Sequence, residues 1–194
     1  METNTESVEL VGEEVAGNVA RAALFAALVG AFAYVVFPNP LSPGVPVTLQ
    51  VLGVFLAGIF LGPVWGFLAL SLYLVAGAAG APIFSQGTGG PGIFLGPTGG
   101  YLLSYPLAAA VVGLFVHGPR ELTDPADVPV ARLVGAMIAG TVIVYAFGTV
   151  GYAIVQEVTL QRAIVAAALV FLPAEALKMA AAVGVVRNDA IAVR

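Results

Sequence analysis

Charged residues are missing from long stretches of this chain. Of its 194 residues, 9% are charged and 60% are hydrophobic, whereas soluble domains carry roughly 25% charged residues. Five of the eleven acidic residues lie within the first fourteen positions, and three more lie between positions 121 and 127. The remaining segments have too few charges to cover a surface in water. The pattern predicts an all-α integral membrane protein and not a soluble enzyme.

The apolar segments predict six membrane-spanning helices. One span needs about 20 mainly apolar residues, so the apolar stretch 47–80 is too long for one helix, and we expect Gly62-Pro63 and Gly66 to form a tight turn within it. The chain then divides into an acidic N-terminal tail (1–19) and a single six-helix membrane domain (20–194). The predicted spans are 20–37, 47–61, 64–80, 100–116, 130–155 and a last helix that begins at Pro173.

The apolar segment at 163–186 contains a proline, Pro173. Proline disrupts the interior of a helix but is tolerated in its first turn. We therefore predict a short helix at 160–171, a break, and a new helix from Pro173. A single kinked helix is the alternative.

The distribution of arginines predicts the orientation in the membrane. With six spans, both termini and the central loop 118–129 share one side, which holds five arginines, while the opposite side holds only Arg162. Because basic residues favour the cytoplasmic side, we expect both termini in the cytoplasm and loops 38–46 and 81–99 outside a cell membrane. The five arginines are Arg21, Arg120, Arg132, Arg187 and Arg194.

Several kinds of chemistry are excluded by missing residues. The chain has no cysteine, so thiolate catalysis and cysteine-bound metals are impossible. Its only histidine, His117, lies at a predicted membrane edge, where we expect it to face solvent. No zinc-protease, nucleophile-elbow or phosphate-loop motif is present. We expect no enzyme activity, no metal and no covalently bound cofactor, and the pI of about 4.8 argues against a nucleic-acid partner.

Glu175 and Lys178 are charged residues in a predicted membrane-spanning region. An ionisable side chain at such depth costs about 2.5–3.5 kcal/mol on insertion scales, so these residues are candidates for a functional site. At a spacing of three they share one helical face and can pair. A helix that begins at Pro173 would also direct its positive end towards an anionic group. The alternative is a pair that only neutralises two charges for insertion.

Other polar and aromatic residues are candidates for ligand contact. Phe84, Ser85 and Gln86 occur in the glycine-rich loop 81–99, where glycine allows close backbone approach to a ligand; a flexible tether has the same composition. Gln50 is a neutral polar residue early in the second span. Four tyrosines have amphipathic side chains that are typical of membrane interfaces, namely Tyr73, Tyr101, Tyr145 and Tyr152.

Small residues recur every four positions along the first span. Ala22, Ala26 and Gly30 form one such stripe. Small side chains let two helices approach closely in lipid, so we expect this stripe to contact a partner helix. A second stripe runs one residue later, at Ala23, Ala27 and Ala31.

Four short segments occur in a specific order along the chain: VPVTLQ at 45–50, GAPIF at 80–84, GPTGGY at 96–101 and FLPAEALK at 171–178. Together they resemble the BioY family, the biotin-specific substrate-binding (S) components of energy-coupling-factor (ECF) vitamin transporters. The resemblance extends over residues 20–187. The last family segment usually reads Phe-x-Pro-Gly-Asp-x-x-Lys, so this chain differs from it at Ala174 and Glu175.

The resemblance implies a six-helix S component that captures biotin from outside the cell. Its partners would be membrane lipid, a transmembrane coupling subunit and two ATP-binding subunits. Alternatives are an S component for another vitamin, or an ion-coupled secondary transporter that uses Glu175 as its proton site. The biotin pocket would face outward between the second, third, fourth and sixth spans, under loops 38–46 and 81–99. The residues expected to bind biotin are Glu175, Lys178, Gln86, Gln50, Phe84, Tyr73, Tyr101 and Tyr152.

Overall fold

A computed structural model describes residues 12–39, 41–42, 44–119 and 122–188 of the chain. Two short strands, β1 (Val36–Phe37) and β2 (Val47–Thr48), pair antiparallel. Single 3₁₀ turns occupy Ser85–Gly87, Pro91–Leu95, Pro125–Asp127 and Leu169–Phe171. The helices are α1 (Glu13–Phe32), α2 (Gln50–Ala78), α3 (Gly99–His117), α4 (Val130–Val155), α5 (Leu160–Ala167) and α6 (Leu172–Val186).

Five helical stretches in the described part of the chain are long and apolar enough to cross a membrane. Large apolar side chains on their outer faces are exposed, which is unfavourable in water but suits contact with lipid tails; examples are Leu24, Val142, Ile154 and Leu177. The fold is thus that of a helical membrane protein, as predicted. The count of six crossings stays a prediction, because two of the five stretches contain a break. The five are Glu14–Phe32, Gln50–Ala78, Gly99–His117, Val130–Val155 and Leu160–Val186.

The first break folds α2 into a helical hairpin at Gly62. That residue has φ 74° and ψ −175°, a conformation that is not helical and that glycine adopts without a steric penalty. The two halves then lie side by side, because Nε2 of Gln50 is 2.6 Å from the hydroxyl oxygen of Tyr73. A straight helix would separate these residues by about 35 Å. The predicted tight turn is confirmed.

The second break separates α5 from α6. Ala168 leaves the helical conformation (φ −131°, ψ −64°), and one 3₁₀ turn leads into α6, where Pro173 occupies the first turn. In the first turn proline removes no helical hydrogen bond. The structure therefore has two helices here and not one kinked helix, although the first ends at Ala167 and not at residue 171.

The first helix differs from its predicted limits of 20–37. It begins at Glu13, inside the predicted tail, and ends at Phe32; residues 1–11 of that tail lie outside the described residues. Val36 and Phe37 instead pair with Thr48 and Val47. β-branched and aromatic side chains favour a strand, and the proline that follows disfavours a helix at the residue before it.

His117 is buried, so the prediction that it faces solvent is wrong. Only 8% of the residue is exposed. Its Nε2 lies 2.7 Å from the carbonyl oxygen of Ile59, and the backbone N–H of Thr123 donates to its Nδ1 at 3.1 Å. Gly118, at φ 81°, turns the chain so that the central loop passes over the imidazole. This histidine joins the loop to the hairpin of α2.

Candidate functional site

A cavity of about 200 Å³ lies between the hairpin of α2, α3, α4 and the start of α6. Two loops border it: residues 44–48, which include β2, and the segment that contains Phe84 to Thr88. The cavity matches the predicted pocket in part. The second, fourth and sixth predicted spans line it as expected, but no residue of the third span (64–80) does, and Tyr145 of α4 lines it instead. The predicted binding residues that line it are Gln50, Phe84, Gln86, Tyr101, Glu175 and Lys178.

Glu175 and Lys178 form the charged part of the cavity wall. Nζ of Lys178 lies 2.6 Å from Oε1 of Glu175, and both side chains are at least 95% buried. The hydroxyl of Tyr145 donates to the same oxygen at 2.8 Å. The second carboxylate oxygen, Oε2, is buried and has no hydrogen-bond partner among the described residues. Such an atom is costly to leave unpaired, so Glu175 keeps one strong acceptor that no described residue satisfies.

Gln50 belongs to a chain of hydrogen bonds that leads away from the cavity. The hydroxyl of Thr48 donates to Oε1 of Gln50 at 2.9 Å, and Nε2 of Gln50 donates to the hydroxyl oxygen of Tyr73 at 2.6 Å. The Tyr73 hydroxyl donates in turn to the carbonyl of Ile83 at 3.0 Å. Tyr73 is fully buried and does not line the cavity. It therefore lies behind Gln50 and not in the pocket as predicted.

The glycine-rich loop has a defined structure over the cavity. The ring of Phe84 packs edge-to-face on Tyr73 and Phe94, with ring centres 5.4 and 5.6 Å apart, and it lies directly on Gly77, where a Cβ atom would overlap the ring. The backbone N–H of Phe84 donates to the carbonyl of Thr88 at 2.9 Å. The loop was interpreted either as a lid or as a flexible tether, and these contacts of Phe84 favour the lid.

The tip of this loop brings polar groups to the cavity. Gln86 adopts φ 61°, which is rare for a residue other than glycine, and its side chain lines the cavity together with Ser85 and Thr88. The hydroxyl oxygen of Ser85 is buried without a hydrogen-bond partner among the described residues. A polar ligand can therefore find hydrogen-bonding groups on the lid as well as on the helices.

Tyrosines form much of the aromatic wall, but not the set that was predicted. Tyr101 and Tyr145 pack edge-to-face with ring centres 5.8 Å apart, and Tyr105 also lines the cavity. Tyr152 is buried but does not line it. Tyr105 follows Tyr101 by four residues and so shares its helical face, a signal that would have identified it. Tyr145 was interpreted as an interfacial anchor, and its place in the cavity wall follows from its bond to Glu175 and its packing on Tyr101.

The small-residue stripe predicted to contact a partner helix is packed inside the chain. Ala22 and Ala26 are 4% and 8% exposed, and a Cβ atom on Gly30 would lie 3.3 Å from Cβ of Ile83. The stripe is therefore covered by the chain's own residues. The second stripe, one residue later along the helix, is exposed and consists of Ala23, Ala27 and Ala31.

Comparisons with known proteins identify one family of sequences that this chain matches. The sequence profile described as the BioY family matches residues 3–193. A biotin transporter BioY of Rhodobacter capsulatus is 43% identical over 144 residues, which are 74% of this chain and 73% of that protein. One of Rhizobium etli is 37% identical over 164 residues, 80% and 83% of the two chains.

A solved structure has the same fold. It is the S-component for biotin from an ECF-type ABC transporter, and it superposes with a TM-score of 0.80 over 92% of this chain and 93% of that one. At 24% sequence identity the likeness concerns the arrangement of the helices.

Proposed function

The chain belongs to the BioY family, and on this premise we propose that it is the biotin-binding subunit of an ECF-type transporter, which captures biotin from outside the cell. Its relatives in Rhodobacter capsulatus and Rhizobium etli carry the name biotin transporter. Membership also makes it a transport protein and not an enzyme, and biotin is then its transported ligand and not a cofactor.

The observation that carries the proposal is the unpaired Oε2 of Glu175, a residue that lines the cavity. A carboxylate only accepts hydrogen bonds, so the ligand must present a donor to it. At neutral pH the hydrogen-bond donors of biotin are its two ureido N–H groups, because its carboxylate is ionised. We place the ureido ring against Glu175, where a charge-assisted bond is about twice as strong as a neutral one.

The remaining wall suits the rest of the ligand. Lys178 has three N–H donors and uses one of them on Glu175, so another can meet the ureido oxygen. The rings of Phe84, Tyr101 and Phe171 border the same cavity and offer apolar surface to the thioether ring. Gln86 on the lid can bond the part of the ligand that lies towards the opening.

ATP hydrolysis would have to be supplied by partner subunits, because the sequence contains no phosphate-binding loop. We propose one transmembrane coupling subunit and two ATP-binding subunits, in keeping with the ECF-type transporter from which the structural neighbour comes. The exposed stripe Ala23, Ala27 and Ala31 on α1 offers the coupling subunit a surface for close helix contact. Both termini would lie in the cytoplasm, on the side of these partners.

Calorimetry on the purified chain in detergent, without ATP, tests the proposal. We expect biotin to bind with a dissociation constant near 1 nM, which corresponds to about −12 kcal/mol, and thiamine and riboflavin to give no heat. Absence of a biotin signal together with a signal for another vitamin would identify an S component of different specificity. Uptake in cells that collapses with a protonophore while ATP is retained would instead favour an ion-coupled transporter.

A further inference from the structure

We propose that Tyr73 is a positioning residue that fixes the side-chain amide of Gln50 as a hydrogen-bond donor towards the ligand, so that the site prefers an acceptor atom at this point. This inference rests on the proposed function and deepens it. Tyr73 has 0% exposure and does not line the cavity, so it acts through Gln50 and not by touching the ligand.

The direction of the hydrogen bonds follows from the carbonyl of Ile83. A carbonyl oxygen can only accept, so the Tyr73 hydroxyl, 3.0 Å away, must use its single proton on it. The oxygen of Tyr73 is then available only as an acceptor. The group of Gln50 that lies 2.6 Å from it must therefore be the NH₂ and not the carbonyl oxygen.

Thr48 holds the other end of the amide. The backbone N–H of Gln50 donates to the hydroxyl oxygen of Thr48 at 3.3 Å, and the Thr48 hydroxyl donates to Oε1 of Gln50 at 2.9 Å. Rotating the amide by 180° would place Oε1 against the Tyr73 oxygen, two acceptors at hydrogen-bonding distance. Tyr73 therefore selects the orientation of the amide, and the Thr48 hydroxyl adapts to it by donating to Oε1.

One N–H of Gln50 is left over in this arrangement. The NH₂ group has two donors, Tyr73 takes one, and no acceptor in the described part of the chain takes the other. Because Gln50 lines the cavity, this N–H is available to donate to a bound ligand. Biotin has acceptors at its ureido oxygen and at its carboxylate, whereas an N–H group of a ligand would be rejected here.

A double-mutant cycle between Tyr73 and Gln50 tests the inference. Tyr73→Phe, Gln50→Met and the double variant are compared with the original chain for biotin affinity by calorimetry and for thermal stability. We expect Tyr73→Phe to weaken biotin binding about five- to tenfold when Gln50 is present, and less than about twofold when it is Met. Thr141→Val is the matched control, since it deletes a buried hydroxyl that bonds only within α4; it should leave the affinity unchanged.

Two biotin analogues identify which oxygen of biotin accepts the hydrogen bond from Gln50. In 2-iminobiotin a nitrogen that bears hydrogen replaces the ureido oxygen, and in an analogue whose side chain ends in a methyl group the carboxylate acceptor is removed. Tyr73→Phe should reduce the preference for biotin over one of these analogues by about fivefold, and the analogue affected shows which oxygen meets Gln50.

Three results would overturn the inference. They are normal binding by Tyr73→Phe, an equal loss in the Gln50→Met background, and an unchanged preference against both analogues. Failure of the original chain to bind biotin would instead overturn the proposed function. Where Tyr73→Phe cannot be purified folded, Thr48→Val breaks the same arrangement from its other end, and its effect on affinity should again depend on Gln50.

Discussion

The hydroxyl of Tyr145 on α4 lies 2.8 Å from Oε1 of Glu175 on α6, thirty residues further along the chain. The ammonium group of Lys178 contacts the same oxygen at 2.6 Å. Two donors of the protein are therefore concentrated on one carboxylate oxygen, and no described residue donates to the other.

The first prediction separates ligand binding from charge neutralisation by Glu175 and Lys178. Replacing them together with Leu and Met should leave a folded protein, since a buried ion pair exchanged for apolar residues is often neutral or stabilising. Biotin affinity should fall by about 100-fold or more, or about 2.8 kcal/mol, because the charge-assisted bonds to the ligand are gone. Thermal stability and calorimetry in one detergent measure both effects.

Glu175→Asp is the matched conservative variant. It keeps the carboxylate and should retain biotin affinity within about tenfold, roughly 1.4 kcal/mol. If the double variant were as stable as the original chain and bound biotin with the same affinity, the ion pair would have a structural role only.

The second prediction concerns the support of the lid. In Gly77→Ala the new methyl group overlaps the ring of Phe84, so the ring must move out of the cavity wall. We expect a loss of about 1–3 kcal/mol in stability and at least about tenfold weaker biotin binding. Gly184→Ala is the control, because nothing lies within 4 Å of a Cβ atom there, and it should be neutral or slightly stabilising. Equal stability and equal biotin affinity of the two variants would refute the role of the Phe84 ring as part of the cavity wall.

The third prediction distinguishes the two faces of α1. Gly30→Leu should lower the stability of the isolated chain by about 1–3 kcal/mol, because its side chain would collide with Ile83. Ala27→Leu lies on the exposed face and should leave stability and biotin binding intact, yet reduce co-purification with the coupling subunit. Full co-purification of Ala27→Leu would exclude this face as the docking surface.

The fourth prediction is the orientation in the membrane. Because the chain has no cysteine, single cysteines can be labelled without background. Gly92→Cys, in open space on the lid loop, should react with an impermeant maleimide on intact cells. Asp124→Cys in the central loop should react only after permeabilisation. The reverse pattern would place the termini outside.

The parts of the fold that were predictable depend on neighbours in sequence. The turn at Gly62 and the break before Pro173 follow from the backbone properties of single residues. The pairing of Glu175 with Lys178 follows from helical spacing. The prediction that Tyr73 lines the pocket was wrong, because the first half of the α2 hairpin faces the cavity and Tyr73 lies on the second half.

Contacts between distant segments could not be predicted. The sequence around His117 contains no pattern that predicts its contact with Thr123. The sequence around Tyr145 contains none that predicts its contact with Glu175. The two alanine stripes of α1 are almost identical in composition, so the choice between them is made by the packing of α1 on Ile83 and α2. These contacts depend on how the helices pack against one another and on which side chains that packing buries. Both are properties of the tertiary structure.

The hairpin of α2 also sets the depth at which a ligand is held. Its first half, from the turn at Gly62 back to Gln50, rises only about 18 Å, whereas the hydrocarbon core of a bilayer is about 30 Å thick. With the turn at one face of that core, Gln50 lies roughly 12 Å below the other face. Biotin would then be held at the level of the lipid tails of the outer leaflet. A helix of full length would need about two more turns there; in this protein the loop residues 44–48 and 84–88 stand in their place, and the cavity lies beneath them.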